Sequence, residues 1–86
     1  EGKHVVTVRY WKENDYYQLR IKDMGEEDYR VTSREELNRE LSALKENHGN
    51  KLYVKLIIPD DSGLSYNEAW GFTVEILDKY DYYHQK

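Results

Sequence analysis

Cysteine is absent from the chain, which excludes a disulfide framework and any thiolate-held zinc but leaves oxidising and reducing compartments both open. Long apolar runs are absent as well. Nothing approaches the roughly 18 to 20 consecutive apolar residues of a membrane-spanning helix, and no signal-peptide pattern precedes the first strand. Positive charge is in deficit: 13 Lys and Arg stand against 17 Asp and Glu, a formal net charge of -4. That balance argues against nucleic acid and anionic membranes as partners of the domain as a whole, because both repel it at long range, although a local basic patch can override the mean. Apolar residues are also scarce, at 38% of 86. A single domain of this size therefore builds much of its core from aromatics, and nine tyrosines and two tryptophans are present to do it. Each buries a large apolar body while keeping a polar tip wet.

What is present reads as a sequence of elements. Val5 to Trp11 and Asp15 to Lys22 are β-branched and aromatic, separated by the polar Lys12-Glu13-Asn14-Asp15, and predict a hairpin. Alternation puts Val6, Val8 and Tyr10 with Tyr17, Leu19 and Ile21 on one face, and Thr7, Arg9, Gln18, Arg20 and Lys22 on the other. After the turn Asp23 to Asp28, Tyr29-Arg30-Val31 predicts a short third strand. Ser33 with Glu36, or equally Thr32 with Glu35, has the spacing of a capping box. Leu37, Leu41 and Leu44 follow as one helical stripe with Arg34, Arg39, Glu40 and Lys45 in solvent, and the helix stops near Asn47-His48-Gly49-Asn50.

Leu52 to Ile58 predicts an interior strand, ended by the only proline, Pro59, whose missing N–H stops a ladder. Asp60-Asp61-Ser62-Gly63 makes the turn, and Ser65 with Glu68 repeats the capping box. Tyr66, Ala69, Trp70, Thr73, Leu77 and Tyr80 then predict the buried stripe of a second helix. Phe72, Val74 and Ile76 also alternate as a strand would, and Gly71 costs about 1 kcal/mol in a helix. The helix is the preferred reading because cap and stripe agree. Tyr82-Tyr83-His84 predicts a short edge strand, with Tyr82 and Tyr83 as the candidate pairing edge. The expected fold is α+β: one small domain over 1–86 with a single sheet, an N-terminal antiparallel hairpin and the order ββ(β)αβα.

The segment Val31-Thr32-Ser33-Arg34-Glu35-Glu36-Leu37, then Leu41, the strand Leu52 to Ile58, Asp60, and Tyr66 at the start of the second helix resembles the soluble domain of the ExbD/TolR biopolymer-transport family. The resemblance covers about the last two-thirds of the chain. It implies a periplasmic domain tethered to a bacterial inner membrane by one N-terminal helix. Such a domain works with a proton-driven motor to pass force to an envelope partner. The family's proton-linked aspartate lies in that membrane helix, so no energy-coupling residue carries over, and Asp60 and Tyr66 match structural positions. The start at Glu1 rather than Met reads as excision from a longer, membrane-anchored chain.

No catalytic signature competes with this. Asp60, Asp61, Ser62 and Glu68 imitate a calcium loop, but Gly63 sits at the fourth position rather than the sixth and the twelfth is Gly71. His4, His48 and His84 are far apart and lack the i, i+4 partner of a helical zinc pair, so they read as surface or helix-end histidines. The expectation is a non-enzymatic protein-interaction domain without cofactor or metal, engaging a motor subunit, an envelope component or itself as a weak dimer through exposed strand edges. The alternative is a free-standing binding module. Arg9, Trp11, Tyr16, Arg20 and Lys22 offer cations and stacking planes together on the wet hairpin face, a mixture suited to a peptide, a glycan or a single-stranded nucleic acid.

Overall fold

The computed structural model describes residues 3–82. Strand β1 (His4–Glu13) and strand β2 (Tyr16–Lys22) form the hairpin, in register from Thr7 opposite Lys22 to Glu13 opposite Tyr16. Its tip is Asn14-Asp15, with φ of 52° and 67°. A two-residue hairpin loop of this twist needs positive φ at both positions, which Asn and Asp tolerate better than most residues. The turn therefore takes Asp15 out of the expected second strand and returns Lys12 and Glu13 to the first.

Strand β3 is only Arg30–Val31, paired with Ile21 and Arg20; Tyr29 stays outside it. Helix α1 (Arg34–His48) starts on Ser33. The Ser33 hydroxyl accepts from the Glu36 N–H at 3.1 Å, and the Glu36 carboxylate accepts from the Ser33 N–H at 3.3 Å. The Thr32 N–H donates to the Leu19 carbonyl at 3.0 Å, which leaves no free N–H on which Glu35 could close the alternative box. Leu37 and Leu41 are fully buried and Leu44 packs beside them. The helix closes on Gly49 and runs through a 3-10 turn (Gly49–Lys51) into strand β4 (Leu52–Ile57).

Strand β4 lies parallel to β1, from His4 opposite Leu52 to Arg9 opposite Ile57, and has neighbours on both sides, as its apolar density predicts. Ile58 falls one residue beyond it. Helix α2 (Tyr66–Leu77) is capped by Ser65, with the Glu68 N–H to Ser65 Oγ at 3.2 Å and the Ser65 N–H to the Glu68 carboxylate at 2.9 Å. Strand β5 (Asp81–Tyr82) returns parallel to β4 and pairs with Tyr53 and Val54, which places Tyr82 on the sheet edge, while Tyr83 and His84 lie outside the described residues. The mixed five-stranded sheet has the order β3-β2-β1-β4-β5. The α+β class and the order of elements agree with the sequence reading.

Beyond these strand ends, the expected core face of the second helix is corrected. Helix α2 forms, but it buries Phe72 and Ile76 rather than the predicted stripe, and leaves Tyr66 80% and Trp70 57% exposed. Leu77 is exposed too, while Ala69 and Thr73 are half-buried and Tyr80 is buried just beyond the helix. The apolar residues cover more than half of the helix circumference, opposite Asn67, Glu68 and Glu75, so periodicity admits two stripes and the tertiary slot selects one. Phe72 fills it by stacking on Tyr10, 4.2 Å between centroids. Both helices pack on the Val6, Val8 and Tyr10 side of the sheet in one continuous core with Leu19, Ile21, Leu52 and Val54. Among the described residues, no helix lies on the opposite face of the sheet.

Candidate functional site

The uncovered face is built by strand parity. Residues that alternate with the buried Val6, Val8 and Tyr10 point outward: Thr7, Arg9 and Trp11 on β1, Gln18, Arg20 and Lys22 on β2, Tyr53, Lys55 and Ile57 on β4. The register then sets them in rows. Arg9 faces Arg20 on one side and Ile57 on the other, while Thr7 lies between Lys22 and Lys55. The Arg9 guanidinium sits 5.3 Å from the Trp11 ring and 5.7 Å from Tyr29, Arg20 sits 5.7 Å from Trp11, and Lys22 sits 5.7 Å from Tyr29. Cations and rings thus alternate as Arg20, Trp11, Arg9, Tyr29, Lys22. Beyond Trp11, whose Nε1–H donates to the Glu13 carboxylate at 3.2 Å, the face runs into a cleft of about 380 Å³ of mixed charge, lined by Arg9, Lys12, Glu13, Pro59, Asp61 and Ser62.

Of the sequence-derived face, Arg9, Trp11, Arg20 and Lys22 come together. Tyr16 shares their parity but stands at the hairpin tip, 72% exposed and opposite Glu13. Sequence reasoning missed Tyr29 and Lys55. Lys55 was legible as outward-facing on its own strand, but only the parallel pairing of β4 with β1 brings it to the array. Tyr29 arrives from the connection before β3, where periodicity says nothing.

A second feature lies at the sheet edge. Strand β3 pairs only with Arg20 and Ile21, and the Leu19 carbonyl is taken by the Thr32 N–H. In an antiparallel ladder the N–H and C=O of one residue point the same way and alternate along the strand, so Tyr17 directs both backbone groups to the same outer edge as Leu19. Among the described residues no strand covers β2 between Tyr16 and Gln18. Beside this edge opens a cleft of about 470 Å³ lined by Tyr10, Tyr17, Leu19, Ser33, Arg34 and Glu68. Tyr17 donates its hydroxyl to the Glu68 carboxylate and stacks at 6.0 Å on Tyr10. That hydrogen bond pushes the Tyr17 pKa up, and Glu68 is held below the usual carboxylate range first by the Ser65 N–H and then by Tyr17. Arg34 reaches Tyr10 at 3.3 Å and Glu75 at 3.4 Å.

The other sequence candidates stand apart from both features. Asp60 and Asp61 are exposed in the turn after β4, while Ser62 is buried and its carbonyl accepts from the Lys12 N–H at 2.6 Å. Tyr66 opens α2 with its ring in solvent, so it packs nothing. His48 ends α1 as predicted, yet its ring stacks on His4 at 4.0 Å, and His4 Nε2 meets Asp23 at 2.6 Å. This contact between the start of β1 and the helix end was not legible from spacing. Among the described residues no cluster of three or more metal-ligating side chains occurs, and no helix is long and apolar enough to cross a membrane. Compared with known proteins, the chain matches no family model, no curated protein and no solved structure.

Proposed function

We propose that this domain is a non-catalytic protein-interaction module of an ExbD/TolR-like transport or energy-transduction complex, working at the periplasmic face of a bacterial inner membrane. It engages its partner by strand addition. The observation that carries the reading is the uncovered edge of β2 at Tyr16 to Gln18 with the Tyr10–Tyr17 cleft beside it. Added strands gain affinity from main-chain hydrogen bonds and specificity from pockets that receive alternate side chains, and the two elements stand together here. A natural protein does not leave such an edge without a device against uncontrolled pairing. Here the device is brevity, together with Lys12 opposite Tyr17.

The partner is a second copy, added antiparallel about a two-fold axis, or an extended segment of an envelope protein. Short edges give weak association alone and effective association when tethered, because a tether raises the local concentration. Sedimentation of the chain, alone and fused to a dimeric coiled coil, tests this together with Tyr17→Pro, which removes the outward N–H that an edge strand can lose without unfolding. The tethered chain should compact into a paired form that Tyr17→Pro abolishes and Tyr17→Ala weakens less. Equal behaviour of the tethered parent and Tyr17→Pro, with no response to envelope peptides, would sink the proposal.

A further inference from the structure

We infer that the uncovered sheet face is a binding site for an extended acidic peptide of a partner protein. The site is separate from the β2 edge, so it stands or falls independently of strand addition.

The argument starts from a local cost. Arg9 and Arg20 are directly opposed across the β1–β2 ladder, where like charges destabilise a sheet. In a chain of net charge -4 carboxylates are plentiful, yet the ion pairs among the described residues involve His4, Arg30 and Arg34 and none of Arg9, Arg20, Lys22 or Lys55. These four cations share one face, and locally unfavourable choices of this kind concentrate at functional sites. Charge complementarity therefore calls for an anionic occupant.

The rings decide which anion. Trp11 and Tyr29 already carry the chain's own cations at 5.3 to 5.7 Å, so a nucleobase would have to displace a guanidinium to stack. A carboxylate would not, because a guanidinium lying on a ring still presents N–H groups around its rim, in the fork that matches a carboxylate. Spacing agrees as well. The Arg9–Arg20 row and the Lys22–Thr7–Lys55 row lie two residues apart along β1, a step of roughly 6.7 Å. Acidic side chains on alternate positions of an extended peptide repeat at that same interval.

Trp11 supplies the readout, with Trp70→Phe silencing the other tryptophan at an exposed position. The probes are a short peptide alternating Glu and Thr, the same peptide with Gln for Glu, and an oligothymidylate of equal length. The Glu/Thr peptide should shift Trp11 emission saturably, more weakly as salt rises. Arg9→Gln with Arg20→Gln should weaken it by about tenfold or more. That variant should stay folded, its melting curve cooperative, since relief of the like-charge pair offsets the lost guanidinium–ring contacts. If it does not fold, Lys22→Gln with Lys55→Gln must show the same loss. Tyr17→Pro should leave the titration unchanged, which separates this site from the edge. Tighter binding of the oligothymidylate, equal binding of the Gln/Thr peptide, or undiminished binding by the folded charge variants would overturn the inference.

Discussion

At the scale of single residues, the fold depends on a few positions where chemistry and backbone conformation meet. Gly63 has φ of +77°, and a Cβ there would stand 2.7 Å from the Lys12 carbonyl oxygen. The Lys12 N–H in turn donates to the Ser62 carbonyl, so the loop after β4 is latched to the end of β1 through a contact only glycine allows. Gly63→Ala should lower stability by more than about 1 kcal/mol, from the left-handed backbone alone before the clash is added. Chemical denaturation measures it, and an unchanged midpoint would contradict the latch. The polar pair at the edge cleft makes a prediction about pH. The carboxylates of Glu26, held down chiefly by Arg30, and Glu68, held down chiefly by the Ser65 N–H, have depressed pKa values in the folded chain. Their contribution is present above the ordinary carboxylate range and is lost as pH falls through the folded values. Tyr17 is raised by its bond to Glu68. Its contribution is complete below the ordinary tyrosine range, near about 10, and is lost as pH rises through its folded value. Melting temperature against pH should fall at both ends. Glu68→Gln retains a capping box, since Gln also serves, but should flatten both limbs; identical limbs in parent and variant would contradict this.

Elements show which signals the sequence carries and which it cannot. Ser33 and Ser65 were legible as caps because a capping box is local, two side chains exchanging hydrogen bonds with two backbone N–H groups three residues apart. The hairpin was legible from alternation and the interior character of β4 from its apolar density. The buried face of α2 was not, because Trp70, Phe72, Val74, Ile76 and Leu77 spread over a broad arc opposite Glu68 and Glu75 and only the slot beside Tyr10 distinguishes Phe72 from Trp70. The cation and ring array was half legible: parity named Arg9, Trp11, Arg20 and Lys22, whereas Tyr29 and Lys55 depend on tertiary pairing. Gly71 gives α2 its own prediction. It is exposed inside the helix, its φ is not positive, and a Cβ added there would meet nothing within 4 Å. Gly71→Ala should therefore stabilise the chain by roughly 1 kcal/mol, read as a raised denaturation midpoint. A lower midpoint would mean that α2 is not the regular helix described.

For the molecule as a whole, the arrangement is asymmetric. One face of the sheet is buried under two helices, the other displays rings and cations that form no ion pair among the described residues, and β2 ends in backbone groups that no described strand satisfies. A small core concentrated on one side leaves the rest of the sheet available for contact, which is what the proposed interaction role requires. The central claim is that the β2 edge accepts another strand, and amide exchange at Tyr17 tests it most directly because that N–H points outward in the unpaired chain. In the untethered chain at low concentration it should exchange far faster than the amides of β1. Fusion to a dimeric coiled coil should slow it by about tenfold or more, which corresponds to about 1.4 kcal/mol of added protection. Exchange at Tyr17 that is already slow in the isolated chain, or that tethering and envelope peptides both leave unchanged, would contradict strand addition at this edge.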